Sequence, residues 1–414
     1  MDCSLTGGDF DSAFVQGLTD RRVFMDFPAT FDPTPAETRL MEEQKCVLQL
    51  NKCLYGLKQA GRQWYLTIKK WLVNYGFTCM ATDTCVFTLH KGGEHLIVWL
   101  YVDDIGVICS NDNLLEQFYG DLCKAFRFTK QGNLEWYIGI KITRDKNKVT
   151  LDQEKYITEC LEDLGLAKIN PVTTPGKAHP KDQPEPCQDP SYYRKLVGKL
   201  VYLATCTRPD IAFTVQQLSQ NFQNPTMADQ EAAIRCWQYI KYTKGHKLCY
   251  SGENFSLLTY SDTDWATSKT DRKSIGGFVI MLLGAVVAWR CKKQTVVALS
   301  TAEAEYMGLC LAVQELLWLD MFLNELGIKA IAQAHPLEVL GDNQASLKMV
   351  QEGADNSRTK HIDIKYHFLK DLVRTNRVNI TYVDTKFNLA DLLTKPKPKG
   401  PHMEDTIRIL GMKK

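Results

Sequence analysis

Asp103 and Asp104 stand bare between two apolar runs in the stretch Leu96–Ser110, LIVWLYVDDIGVICS. Each run is rich in Val, Ile and aromatics and has the length of a strand. An acidic pair between two strands falls at a hairpin tip, where both carboxylates can reach toward one site. A polar turn is the competing reading, since Asp is a common turn residue. Asp9, in GGDFDSAF (Gly7–Phe14), sits directly before an apolar position, where a strand leads into a turn or short helix. Its competing role is to cap that helix. Four further acids stand at or near predicted element ends: Asp262 in YSDTDW, Glu303 in STAEAEY, Asp342 in GDNQ and Asp391 in ADLLTK. Were several such carboxylates to share a cleft, they would repel one another unless divalent cations sat among them. Each also has a plain role. Asp262 ends a strand, Ser300 and Glu303 have the spacing of a capping box, Asp342 can cap the next helix, and Asp391 can be a surface acid.

These acids need a scaffold, and the apolar pattern supplies one. Trp64, Ile68, Trp71, Leu72 and Tyr75 fall at helical spacing after Gly61. Lys58 and Arg62, at the start of that helix, run against its dipole, which suits an anionic partner or a solvated surface. A further amphipathic helix is predicted over Asp152–Leu164, ending at Gly165. Six prolines between Pro171 and Pro190 interrupt every periodicity and mark a linker. Helices follow over Tyr192–Ala204, Pro209–Asn221 and Met227–Tyr242. Lys195, Lys199, Lys241 and Lys244 on this stretch can meet phosphates or simply face solvent. The last third reads as strands at Leu257–Ser261, Ser274–Leu282 and Val286–Trp289, a long helix Thr301–Leu326, a strand Leu337–Leu340, then mixed elements. Residues 396–414 read as a loosely ordered tail.

The totals bound the class. The 414 residues, 44% hydrophobic and 24% charged, suit a globular chain with real cores. The formal net charge of +2 means that nucleic-acid contacts must come from local patches. None of the 14 cysteines is spaced as CxxC or pairs with His at zinc-finger spacing, so they read as free thiols in a reducing, intracellular setting. The longest apolar stretch, Phe278–Trp289, is too short to span a bilayer, and no membrane partner is expected.

GDFDSAF, LYGLKQAGRQWY (Leu54–Tyr65) and YVDD, in this order and spacing, resemble the reverse transcriptase of copia-type retrotransposons. The last third extends the resemblance through the four acidic motifs, DRKS at Asp271–Ser274, AWRCKKQ at Ala288–Gln294 and RTKHIDIKYHF at Arg358–Phe368. The resemblance implies a multidomain α+β and α/β chain. It would comprise a polymerase palm with partial fingers over 1–169, the Pro-rich linker over 170–190 and a helical thumb and connection over 191–250. A ribonuclease H-like mixed sheet with flanking helices would occupy 251–395, followed by the tail. Most of the family's fingers lie before the first catalytic aspartate and are expected to be missing, so polymerase activity by this chain alone is expected to be weak.

The site assignments follow from the same resemblance. Asp9, Asp103 and Asp104 would be the catalytic metal ligands of the polymerase. Asp262, Glu303, Asp342 and Asp391 would be those of the nuclease, with Asp264 and Glu305 ranked behind as neighbours. Each site would hold two Mg²⁺ or Mn²⁺ ions, spaced about 4 Å for phosphoryl transfer. Phe14 matches the aromatic that crowds the sugar 2′ carbon. Tyr55, Gly56, Lys58 and Gln59 would bind substrate, and Tyr137 and Gly139 belong to WYIGI (136–140), a hairpin that steadies the primer end. His361 and His367, six apart, are read as surface or substrate-side residues and not metal ligands. The implied partners are an RNA template, a DNA primer, RNA–DNA hybrid, deoxynucleoside triphosphates and the rest of a Pol polyprotein. The implied location is the cytoplasm, in virus-like particles, or the nucleus. The competing class is an inactive nucleic-acid-binding remnant or a host-adopted interaction protein.

Overall fold

The computed structural model describes residues 3–44, 46–176, 185–251, 255–268, 270–327, 336–351 and 363–412. The chain divides into two compact units, residues 1–137 and 138–414. Residues 138–169, expected with the first segment, fold with the second.

The first unit contains β1 (Ser4–Phe10), β2 (Leu18–Met25), α1 (Pro35–Gln44), β3 (Leu48–Lys52), α2 (Ala60–Tyr75), β4 (Thr78–Cys79), β5 (Val86–Lys91), β6 (Glu94–Tyr101), β7 (Asp104–Cys109), α3 (Asp112–Ala125), β8 (Phe128–Asn133) and β9 (Trp136–Tyr137). Six strands form an antiparallel sheet in the order β4-β5-β6-β7-β1-β8. β2 and β3 form a separate pair. The helical spacing of α2 buries Trp64, Ile68 and Leu72, and α3 buries Leu115, Phe118, Tyr119 and Leu122. Both faces join one core with Phe87, Val98 and Val107 of the sheet. α2 stops at Gly76, whose φ of 116° suits glycine. α3 starts where the Asn111 side chain accepts the Leu114 amide at 3.1 Å. Gly106 allows the Trp99 ring to lie against the sheet, since a Cβ there would fall 2.0 Å from a ring carbon.

The second unit begins with β10 (Ile140–Asp145), β11 (Lys148–Asp152) and α4 (Glu154–Asp163). The expected linker, 170–190, is described only in part; residues 177–184 lie outside the described residues. The three predicted helices are present. α5 (Pro190–Cys206) is capped by Asp189. A single 3₁₀ turn (Pro209–Ile211) leads into α6 (Ala212–Ser219), and α7 (Met227–Tyr242) starts on a Thr226–Asp229 capping box. Their apolar faces close on Trp237, Tyr193 and Leu200. β12 (Leu248–Tyr250) then pairs with β11, which pairs with β10. The lysines of this region are already engaged by protein. Lys195 and Lys199 meet Asp163 at 2.9 and 3.2 Å, Lys244 meets Glu154 at 3.3 Å, and Lys241 donates to the carbonyls of Ala167 and Ile169.

The turn between α5 and α6 buries a charged pair. Arg208 and Asp210 are both 0% exposed and pair through two hydrogen bonds, at 2.9 and 2.7 Å. Arg208 also donates to Thr243, the Tyr239 hydroxyl donates to Asp210 at 2.6 Å, and His402 lies 3.2 Å from that hydroxyl. Despite burial, the adjacent guanidinium and the Tyr239 hydroxyl hold the Asp210 carboxyl down at about 2.

A five-stranded sheet follows, from β13 (Leu258–Asp264), β14 (Ile275–Leu282), β15 (Ala285–Lys293), β16 (Leu337–Gly341) and β17 (Val378–Tyr382), in the order β15-β14-β13-β16-β17. The first three are antiparallel, and β16 and β17 join in parallel. α8 (Thr301–Glu325) packs on this sheet, with α9 (Gln344–Gln351) and α10 (Asp363–Arg374) beside it. α8 is long and apolar enough to cross a membrane by length and composition alone, an exception to the sequence expectation; 61% of that window is buried in this core. The expected loose tail is instead α11 (Lys399–Ile409), which buries His402, Asp405, Thr406 and Ile409. Three of these four buried residues are polar, so hydrophobic periodicity did not reveal it.

Candidate active sites

In the first unit, strand register gathers the predicted acids. β1 pairs with β7 so that Asp9 stands opposite Asp104. β6 and β7 are joined through Val102 and Asp103, and Val102 takes a φ of 57°. Two bonds hold this tight tip: the Phe10 amide donates to the Asp103 carbonyl at 2.9 Å, and the Trp64 indole donates to the Val102 carbonyl at 2.6 Å. Burial, then Asp103 and Asp11, raises the Asp9 carboxyl; burial, then Asp103 and Asp9, raises Asp104. Anions that disfavour one another's charge are the setting in which a divalent cation is welcome.

The predicted substrate residues of this unit fall into two groups. The Phe14 ring meets Tyr55 at 4.7 Å, and the exposed Gly56 (φ 94°) and Lys58 follow, with Gln59 at the start of α2. Tyr137 meets Trp99 edge-on at 5.9 Å. Gly139 lies at the start of the second unit with φ 76°, and Tyr202 donates to the neighbouring Ile138 carbonyl.

In the second unit, Asp262, Glu305 and Asp342 offer carboxylate oxygens that all lie within 4.8 Å of one another. The sheet brings two of them level: Tyr260 pairs in parallel with Leu340, and each acid stands two residues beyond. α8 brings the third. Gly308 permits its close approach, because a Cβ there would meet Thr263 Oγ1 at 2.3 Å. Burial, then Asp262 and Asp342, raises the Glu305 carboxyl strongly; burial also raises Asp262, with Asp391 adding and Lys395 opposing. All three donors are hard oxygens, which fits Mg²⁺ or Mn²⁺ and fits neither soft-metal nor haem chemistry.

This set corrects one expectation. Glu303 is not in the cluster, and its neighbour Glu305 is. Glu303 accepts the Leu299 amide at 3.0 Å, while Ser300 accepts the Glu303 amide at 3.2 Å. These two bonds hold its carboxylate at the start of α8. Asp391 lies beside the cluster on a 3₁₀ turn (Leu389–Leu393). Asn388 pins that turn to β13 by donating to the Ser261 carbonyl at 2.9 Å. Thr394 donates to Asp262. Asp391 Oδ1 pairs with Lys395 at 2.6 Å and its Oδ2 with Lys397 at 3.2 Å. These two lysines and Thr394 escaped the sequence reading, although Thr394 and Lys395 adjoin Asp391 in a motif already singled out. His367 is exposed on α10, and His361 lies outside the described residues.

The two raised carboxyls set a pH test. A carboxyl raised on folding lends stability below its ordinary range and loses it as pH climbs through the folded value, here up to about 9 for Glu305. Divalent metal needs both groups ionised. Added Mg²⁺ is therefore expected to raise the melting temperature little at pH 5 and progressively more toward pH 9. Differential scanning calorimetry with Asp342→Asn as control checks this; an equal Mg²⁺ effect at both ends would contradict it.

A family profile for "Reverse transcriptase (RNA-dependent DNA polymerase)" matches residues 5–178. The Retrovirus-related Pol polyprotein from transposon TNT 1-94 of Nicotiana tabacum is 33% identical over 414 residues, 97% of this chain and 30% of the relative. That from transposon RE1 of Arabidopsis thaliana is 34% identical over 392 residues, 94% of this chain and 26% of the relative. The chain thus spans under a third of the length of these curated relatives. Among solved structures, the N-terminal RNase H domain of rv2228c from Mycobacterium tuberculosis is 17% identical, with a TM-score of 0.26 over 34% of this chain and 90% of that one.

Proposed function

The chain belongs to the reverse transcriptase family of copia-type retrotransposon Pol polyproteins, and from that premise we propose two phosphoryl-transfer sites, a polymerase site in the first unit and a ribonuclease H site in the second. The observation that carries the nuclease reading is the Asp262–Glu305–Asp342 cluster. The sheet that carries it mixes antiparallel and parallel strands in the order β15-β14-β13-β16-β17. Asp262, Glu305 and Asp342 would hold Mg²⁺ or Mn²⁺, with Asp391 beside them as a ligand to a second ion. The ions supply an activated water and a counter-charge for the departing 3′-oxygen of an RNA phosphodiester. Asp262 and Glu305 must shed their protons to bind, and Thr394 orients Asp262 for that role. Selection for RNA in a hybrid would rest on contacts to 2′-hydroxyls across the minor groove.

For the polymerase, Asp9, Asp103 and Asp104 would hold the metal pair, and the template is RNA and the primer DNA. Phe14, fixed against Tyr55, would crowd the sugar 2′ carbon and favour deoxynucleoside triphosphates. Tyr55, Gly56, Lys58 and Gln59 would bind the incoming end, and Tyr137 and Gly139 the primer end. The partners are then nucleic acid and the remainder of the polyprotein, in a reducing compartment that suits fourteen free thiols.

The test is hydrolysis of an RNA–DNA hybrid. We expect Mg²⁺-dependent cleavage of the RNA strand alone, read on a denaturing gel. A folded preparation that leaves the hybrid uncut in Mg²⁺ and Mn²⁺ would sink the nuclease reading. Hybrid binding that is unchanged by Asp262→Asn and Asp342→Asn, without cleavage, would point instead to a binding remnant.

A further inference from the structure

We propose that the Lys395 ammonium occupies the second cation's place at Asp391, so that the cluster takes one divalent ion readily and a second only by displacing this side chain. The proposal rests on the nuclease reading above. Both oxygens of Asp391 are engaged, Oδ1 by Lys395 at 2.6 Å and Oδ2 by Lys397 at 3.2 Å. An ion coming to Asp391 must therefore dislodge one lysine. The two are not held equally. Lys397 is 10% exposed and also pairs with Asp405 of α11 at 2.6 Å. Lys395 is 38% exposed, and its ion pair is with Asp391. Lys395 is the one that can move.

Lys395 also acts on the rest of the cluster. The Thr394 hydroxyl, next to it in the chain, donates to Asp262 and ties this end of the turn to the cluster. A tethered cation in this position neutralises part of the charge that a second divalent ion would otherwise neutralise. Lys395 has somewhere to go: with Lys397, Thr214 and Gln217 it lines a cavity of about 290 Å³. The displaced ammonium can turn into that space without leaving the unit. Lys395 is thus a positioning and selecting residue, which makes the two ion sites unequal.

The experiment counts ions. Mn²⁺ is titrated into the full chain carrying Asp103→Asn and Asp104→Asn, so that ions of the polymerase site do not contribute, with calorimetry and electron paramagnetic resonance as readouts. With Lys395 intact, we expect one ion to bind well ahead of the second. Lys395→Gln should tighten the second ion by about tenfold or more, since a unit charge at contact distance has been removed. Lys395→Arg, which keeps the charge, should retain the weak second ion and guards against a fold defect in the Gln variant. Two ions of equal affinity with Lys395 intact would overturn the proposal, as would a second ion unaffected by Lys395→Gln. Failure of the intact chain to bind any ion would instead refute the nuclease reading, and this proposal with it.

Discussion

Replacing Arg208 by Met is expected to destabilise the second unit by about 3–5 kcal/mol, the usual cost of stranding a buried charge. Asp210 would keep its Tyr239 hydrogen bond but lose both bonds from the guanidinium in a site with 0% exposure. The melting temperature should fall on the order of 10 °C for a unit of this size. The double variant Arg208→Met with Asp210→Leu should recover much of the loss, because the uncompensated charge is then gone. Denaturant unfolding followed by circular dichroism checks both values. If the single variant unfolds with an unchanged midpoint, the pair contributes nothing to stability.

The second large effect separates two neighbouring glutamates. Glu305→Gln is expected to slow hybrid cleavage by about a thousandfold, equivalent to several kcal/mol of lost charge stabilisation at the reacting phosphate. Glu303→Gln should leave cleavage within a few-fold of the unaltered chain and cost about 1 kcal/mol of stability, the scale of a helix-cap change. Single-turnover cleavage with saturating Mg²⁺ measures the first effect and thermal melts the second. The reverse pattern, with Glu303→Gln inactive and Glu305→Gln active, would refute the assignment drawn from the 4.8 Å cluster.

That pair shows how far the sequence could be read. Asp9, Asp103 and Asp104 were legible because strand ends and a hairpin tip fix where their side chains go. Asp262 and Asp342 were legible for the same reason. Glu303 and Glu305 sit two apart on a helix, so about 200° of rotation separates them, and only one can face the sheet. The Ser300–Glu303 capping spacing was visible from the start and already indicated which glutamate was taken by the helix end. Motif position outweighed that signal. Arg208 and Asp210 flank Pro209 at the start of a predicted helix, and nothing local reveals that Tyr239 meets Asp210 or that His402 meets Tyr239. α11 was missed for a related reason: what it buries is largely polar, and its partners lie far away in the chain.

Those long-range partners govern how the second unit is made. His402 reaches Tyr239 across 163 positions of sequence, and the Cys249 amide donates to the Leu410 carbonyl at 2.8 Å. During synthesis, the helices around Arg208 leave the ribosome long before the segment that completes their enclosure. The emerging polypeptide must hold a half-covered ion pair and an open apolar seam until α11 is released. Closure is then a late, non-local and hence slow event, during which chaperone capture or aggregation competes with productive assembly.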